Sequence, residues 1–185
     1  MTVKRVKDIK DKKYLFNRCI LYSPWIDLSC SSKSYDSNKW CDKNKTGDIM
    51  FRGDARKDSL KSALGNYISQ DELYNYQANP YFIKDNILKQ FPPTLIFIGS
   101  EETLRDESII FVGKLQKVNL NSFIYIFNSV WHDWLMYTQD CGDGYFKKAW
   151  QVYDISADFL EGYYDINNKF NFNSDKLYTE VRYVT

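Results

Sequence analysis

The segment from Phe91 to Ser108 constrains the fold of this chain more than any other stretch of its sequence. It opens with a proline pair, continues through a run rich in apolar residues at Thr94–Ile98, and breaks at Gly99. A short apolar run with turn residues at both ends is typical of a strand that is buried on both faces, as in a parallel sheet. The segment therefore predicts a central strand of an α/β fold.

Acidic residues follow this strand directly, and the start of a helix follows them. Thr103, with Asp106 three residues later and an apolar-periodic segment beyond, predicts a helix over about 106–118. Sites in open α/β sheets lie at the carboxyl ends of the strands. Glu101, Glu102 and Asp106 therefore stand where a catalytic acid is expected.

Two further apolar segments predict strands beside the central one. Cys19–Tyr22 is stopped by a Ser-Pro pair, and 122–127 follows a turn that two asparagines mark. Apolar periodicity predicts a long helix over 145–162, and shorter helices are expected at 57–68 and 69–77. Strands that alternate with helices favour a parallel α/β sheet.

Three polar segments lie outside this pattern. Residues 1–13 have helical apolar spacing and predict the end of an amphipathic helix; the alternative, a basic arm for phosphates, is interrupted by Asp8 and Asp11. Residues 29–59 predict a long surface excursion, and loops of that length are either functional or disordered. Residues 163–185 predict a polar and aromatic tail, with an extra strand at 177–184 as an alternative.

Composition excludes several classes of function. The net charge of +1 gives the whole chain no electrostatic attraction to nucleic acid or to a membrane surface. No run reaches the ~18 apolar residues of a membrane span and no secretory signal opens the chain, so a cytoplasmic location is predicted. The four cysteines lack CxxC spacing and there is one histidine, so no metal site or cofactor is expected.

The single histidine, His132, follows the third predicted strand. Because the carboxyl ends of parallel strands meet at one edge of the sheet, His132 and Glu102 can lie close together. The carboxylate would then fix the imidazole tautomer, and the imidazole would act as a general base. The alternative is a loop histidine that caps a strand or satisfies a buried carbonyl group.

Five motifs stand in a defined order and spacing: Ser23–Ser29, Asn79–Pro80, Phe91–Ser100, Glu102–Glu107 and Trp131–His132. Together they resemble the C-terminal half of the hormone-sensitive-lipase-like carboxylesterases, which are α/β-hydrolases. The resemblance covers about residues 3–162. It implies a partial α/β-hydrolase domain over 1–162, with a three-strand parallel sheet remnant and flanking helices. The excursion would then be part of a longer pocket-lining segment at 29–77.

The same resemblance assigns two catalytic residues. It implies that Glu102 is the acid and His132 the base of a Ser–His–acid triad. Most family members carry Asp at the acid position. The side chain of Glu102 is longer by one rotatable bond, so Asp106 remains a competing candidate for the triad acid. Asp106 is also expected to face the positive N-terminal end of the following helix. Asn79 is a further departure, since Ser commonly precedes this proline.

The nucleophile of the family is missing from these residues. It lies in a G-x-S-x-G elbow, and its oxyanion hole uses an HGGG-type loop; neither pattern occurs in the 185 residues. By the resemblance, the serine would lie a few residues before Met1, as expected of a truncated, split or mis-started gene. The Cys19–Tyr22 strand would then expose an unpaired edge.

Two hypotheses follow. In the first, the chain is the acid/histidine half of a serine carboxylic-ester hydrolase, inactive alone, which acts on a small ester when an N-terminal half complements it. In the second, it is a non-catalytic interaction module or pseudoenzyme. Such a module would use the Cys19–Tyr22 edge, for a partner or for self-association, and an aromatic surface formed by Trp25, Trp131 and Trp134.

Overall fold

The computed structural model describes residues 16–118, 121–137, 146–162 and 181–184. The predicted helix end at 1–13 and most of the predicted tail lie outside the described residues. The elements in chain order are β1 (Cys19–Tyr22), α1 (Ser34–Ser37), α2 (Ala55–Asn66), α3 (Asp85–Leu88), β2 (Thr94–Gly99), α4 (Arg105–Val118), β3 (Phe123–Phe127), α5 (Lys147–Glu161) and β4 (Val181–Val184). Short 3-10 turns add Gln70–Glu72, Pro80–Phe82 and Trp134–Met136.

The described strands form one parallel sheet in the order β1-β2-β3-β4. Leu95 of β2 is in register with Phe123 of β3 and with Ile20 of β1. The three predicted strands are therefore present and parallel. The sheet also has a fourth strand, β4, which pairs with β3. This strand lies in the predicted tail, 163–185, and falls within 177–184, where the sequence gives an extra strand as the alternative.

The two central strands are buried on both faces, as the sequence predicts. Every residue of β2 and β3 is buried. Because side chains alternate across a strand, the isoleucines of β2 and β3 pack on one face against α4, and the remaining apolar residues pack on the other face against α5. Burying each large apolar side chain contributes about 1.5–3 kcal/mol, so these two layers fix the position of the strand ends.

The edge strand β1 is less buried than the two central strands. Its first three residues are only half-buried, and Tyr22 is exposed. The reason is that, within the described part of the chain, β1 has a neighbouring strand on one side only. Tyr22 still stacks on Phe97 of β2, with ring centroids 5.6 Å apart.

The excursion at 29–59 is folded onto the sheet rather than lying free on the surface. Asn38, directly after α1, donates from Nδ2 to the carbonyl oxygens of Ser100 (2.9 Å) and Glu102 (2.7 Å). The backbone N–H of Gly47 donates to Glu101 Oε2 at 2.9 Å. The excursion therefore packs on the loop that follows β2. No helix within the described residues is long and apolar enough to cross a bilayer.

Candidate active site

The loops after β2 and β3 lie against each other at the carboxyl edge of the sheet. The N–H of Ser100 donates to the carbonyl of Phe127 (2.8 Å), and the N–H of Glu101 donates to that of Val130 (3.1 Å). Gly99 permits this approach, because a Cβ at this position would lie 2.2 Å from the Val130 carbonyl oxygen. The end of β2 therefore requires glycine for a packing reason.

This contact brings the two predicted catalytic residues together. Glu102 Oε2 lies 3.2 Å from Nδ1 of His132. The Glu102 side chain is fully buried, and that of His132 is 16% exposed. The carboxylate is thus shielded from water, while the imidazole is partly exposed to solvent.

The other oxygen of Glu102 is held by two donors. Oε1 accepts from the N–H of Gly99 at 2.6 Å and from Ser23 Oγ at 2.8 Å. Ser23 follows β1, so the ends of three neighbouring strands contribute to the site. With both oxygens bonded, the Glu102 carboxylate has one fixed orientation toward His132.

Burial and pairing shift the pKa values of both groups. Burial opposes protonation of the imidazole, but the hydrogen bond and charge of Glu102 outweigh it and, with Asp133 and Asp48, raise the pKa of His132 above 6.5. Burial raises the pKa of Glu102 to about 7, and the hydrogen bonds to its carboxylate limit that rise. The two groups therefore titrate as a coupled pair.

The second imidazole nitrogen of His132 lies beside another carboxylate. His132 Nε2 lies 3.3 Å from Oδ2 of Asp133, whose side chain is half-exposed. The ring of Phe51, from the excursion, packs edge-on against the imidazole at a centroid distance of 5.0 Å. Because Nδ1 is bonded to Glu102, Nε2 is the ring nitrogen that remains for a reactant able to displace Asp133.

Three residues at this edge have left-handed backbones although none is glycine. Ser23, Ser129 and Asp133 have φ values of 42°, 58° and 55°. Each such residue costs of order 1 kcal/mol and persists only where its surroundings hold it, often at functional sites. Here Ser23 immediately follows β1, Ser129 lies in the loop after β3, and Asp133 is next to His132 in the sequence.

The other acidic candidates have different partners. Asp106 pairs with Arg105 at 2.9 Å in the first turn of α4, where the sequence placed it. Glu101 accepts the hydrogen bond from the excursion. Among the described contacts, neither reaches His132. One prediction is wrong: Trp134 is only 1% exposed and belongs to the core, so it is not part of an aromatic surface.

Two polar residues of the site were missed by sequence reasoning. The Ser-Pro pair at Ser23 indicates only that a strand stops there, although its place in the first motif is a signal for the site. Asp48, in the polar excursion, accepts the backbone N–H of His132 at 3.1 Å. Nothing in the local sequence distinguishes Asp48 from the other acids of that segment. The described residues contain no cluster of potential metal ligands.

Comparisons with known proteins agree with this architecture. A family profile for the α/β hydrolase fold matches residues 2–136. An esterase from Acinetobacter venetianus is 26% identical over 141 residues, which are 76% of this chain and 41% of that protein. The chain therefore spans less than half the length of this relative.

Solved structures show the same fold. A hormone-sensitive lipase from a metagenome library matches with a TM-score of 0.65 and 19% identity, over 86% of this chain and 49% of that one. An esterase/lipase from an uncultured bacterium matches with a TM-score of 0.64 and 21% identity, over 86% and 47% of the two chains. The family match, the parallel sheet and the relatives confirm the predicted fold: the chain belongs to the α/β hydrolase fold family, among its esterase- and lipase-like members.

Proposed function

We propose that this chain supplies the acid and the general base of a serine carboxylic-ester hydrolase, with Glu102 as the acid and His132 as the base. The 3.2 Å contact between Glu102 Oε2 and His132 Nδ1 carries the proposal. It joins a buried carboxylate to an imidazole at the carboxyl ends of adjacent parallel strands, where α/β folds place their chemistry. The similarity to an esterase supports the same reaction class.

In this mechanism the imidazole carries a proton on Nδ1, through which it donates a hydrogen bond to the Glu102 carboxylate. Nε2 then takes the proton of a serine hydroxyl as its oxygen attacks the ester carbonyl, and the Glu102 carboxylate stabilises the resulting imidazolium. The same Nε2 proton passes to the leaving alcohol. Asp133 occupies this nitrogen at 3.3 Å, so the serine must displace its carboxylate. Because Asp133 is half-exposed, the side chain can turn into solvent.

The nucleophile and the oxyanion donors must come from other residues, because the sequence has neither a G-x-S-x-G nor an HGGG pattern. We expect them on a polypeptide whose strand pairs with the outer edge of β1. An apolar cleft of about 360 Å³ lies beside that strand and includes Leu21, Trp25 and Phe111. A strand and helix that cover this surface would bring a serine toward the end of β1.

Two consequences follow for activity. The 185 residues alone are expected to turn over no ester, since covalent catalysis needs the serine and the residual catalysis of damaged triads depends on the oxyanion hole. The substrate is expected to be a small ester bound in part by the 29–77 segment. Phe51 belongs to that segment, and its ring contacts the imidazole of His132.

The test uses a fluorophosphonate probe for reactive serine and hydrolysis of p-nitrophenyl acetate. Both are measured on the pure chain and on the chain co-expressed with the polypeptide encoded upstream of it. Labelling of the partner should appear in the complex and disappear with His132→Ala, while Asp42→Asn, an exposed change in the excursion, should leave it intact.

Either of two results would contradict the proposal. One is turnover of the ester by the pure chain; the other is labelling of the partner that does not depend on His132. Absence of labelling in every sample would instead favour a non-catalytic interaction module that uses the β1 edge and the apolar cleft.

A further inference from the structure

Asp48 is a buried carboxylate that the catalytic proposal does not use. It lies in the polar excursion between α1 and α2, and its exposed fraction is 0%. Burying an ionised carboxylate is costly unless hydrogen bonds replace its lost hydration. The contacts of this side chain should therefore explain why it is buried.

Both oxygens of Asp48 accept hydrogen bonds from the loops that carry the acid and the base. Oδ2 accepts from the backbone N–H of Thr103 at 2.9 Å and from its hydroxyl at 3.3 Å. Oδ1 accepts from the backbone N–H of His132 at 3.1 Å, and from that of Met50 at 3.3 Å. Thr103 directly follows Glu102, so one carboxylate joins the backbone beside the acid to the backbone of the base.

Other contacts from the excursion do not make this connection. Asn38 and Ser34 bind carbonyl oxygens of the loop after β2, at Ser100, Glu102 and Thr103. Among the described side chains of the excursion, only Asp48 hydrogen-bonds to both loops. It is therefore the contact through which the excursion can set the distance between them.

We propose that Asp48 is a positioning residue that holds His132 and Glu102 at hydrogen-bonding distance by clamping the two loop backbones together. The catalytic meaning of this role rests on the proposed function. The geometric role does not, because it concerns the distance between two side chains in the folded chain.

The margin for movement is small. The contact between His132 and Glu102 is 3.2 Å, which is already the long end of the ordinary N–H···O range. A loop displacement of about 1 Å would break it, and misplacements of that size can cost about a hundredfold in rate. Asp48 also faces His132 as one of three carboxylates, with Glu102 and Asp133, whose charges favour the imidazolium.

The single histidine makes a direct test available. Selective labelling with ¹⁵N-histidine gives one backbone amide signal and one imidazole, both from His132. In Asp48→Asn, one acceptor oxygen becomes an NH₂ donor, which opposes the N–H of either Thr103 or His132. Asp42→Asn is the matched control, because Asp42 is exposed and accepts only from Trp40 among the described contacts.

We expect three changes in Asp48→Asn that Asp42→Asn does not show. The His132 amide should exchange with solvent at least about tenfold faster, as for loss of one hydrogen bond to a charged acceptor. The pKa of the imidazole should fall below its wild-type value, and the Nδ1–H signal bonded to Glu102 should weaken or disappear. A purely structural role would lower thermal stability and leave the last two signals unchanged.

The proposal is overturned if Asp48→Asn folds with the imidazole pKa and the Nδ1–H signal of the wild type. If that variant does not fold, the wild-type amide decides: exchange of the His132 N–H as fast as that of an unprotected peptide also overturns it. These readouts do not involve ester turnover. Failure of the serine-probe experiment would therefore leave this result unaffected, and the two proposals can fail separately.

Discussion

Ser23 Oγ, directly after β1, donates a 2.8 Å hydrogen bond to Oε1 of Glu102, directly after β2. The same hydroxyl oxygen accepts from the backbone N–H of Asp133, beside His132, at 3.3 Å. One hydroxyl group thus connects the ends of three adjacent strands. The acid of the site is held by the edge strand as well as by its own loop.

Ser23→Ala is expected to destabilise the fold by about 1–3 kcal/mol, because it leaves a buried carboxylate oxygen with one donor fewer. The free energy of unfolding from urea titration measures this. Ser62→Ala on α2 is the control and should change it by a few tenths of a kcal/mol, since alanine is the better helix former. An unfolding free energy equal to that of the control would mean that the hydroxyl contributes no net stabilisation.

Glu102→Gln should lower the pKa of His132, because the amide has no charge to offset the burial of the imidazolium. The expected activity of the complemented enzyme falls by about a thousandfold or more, as for loss of a triad acid. Nuclear magnetic resonance of the single imidazole measures the pKa. Glu101→Gln is the neighbouring control, since Glu101 binds Gly47 instead. Equal imidazole titrations in the two variants would exclude the pairing.

The burial of Glu107 is expected to make the folded chain less stable as the pH rises. Oε1 of this buried carboxylate accepts from the N–H groups of Ile26 (2.6 Å) and Asp27 (3.0 Å). Burial raises the pKa of Glu107 from 4.5 to about 8. The folded chain therefore binds this proton more tightly than the unfolded chain does.

Because the folded chain holds this proton more tightly, protonated Glu107 contributes to the free energy of unfolding. This contribution is fully present below pH 4.5 and is lost as the pH rises to about 8. Glu107→Gln should remove it, so the variant gains stability relative to the wild type between pH 5 and 8, by at most about 1.4 kcal/mol per pH unit. Denaturant titrations at several pH values measure the difference. Glu161→Gln, at the exposed end of α5, should track the wild type; a Glu107→Gln profile parallel to that control would contradict the assignment.

Gly99→Ala and Gly65→Ala form a matched pair that is expected to change the stability of the fold in opposite directions. A Cβ at Gly99 would meet the backbone of Val130 at 2.2 Å, whereas one at Gly65 in α2 would meet nothing within 4 Å. The first substitution should destabilise by about 1–3 kcal/mol or more, because backbone must move. The second should stabilise by about 0.5–1 kcal/mol. Thermal unfolding compares them, and a neutral Gly99→Ala would mean that the loops can separate without cost.

The sequence predicted the central elements well because their signals are local. Apolar residues between proline and glycine define β2, and apolar periodicity defines α4 and α5 to within two residues at each end. The burial of Trp134 was not predictable in this way, and the unpaired edge of β1 was expected only from the family resemblance. Each depends on which other segments cover the residue, and β1 has one neighbouring strand among the described residues.

For the site, the sequence by itself supplied the chemical groups: one histidine and an acid at the carboxyl ends of two strands, in a family pattern. The tertiary structure decided how they are held. Glu102 accepts a hydrogen bond from Ser23, and the backbone N–H of His132 donates one to Asp48, across 79 and 84 residues of sequence. No local pattern specifies such contacts, because they arise when the β1 end and the excursion fold onto the loops after β2 and β3. Residue order determined which groups are present, and packing determined which of them meet.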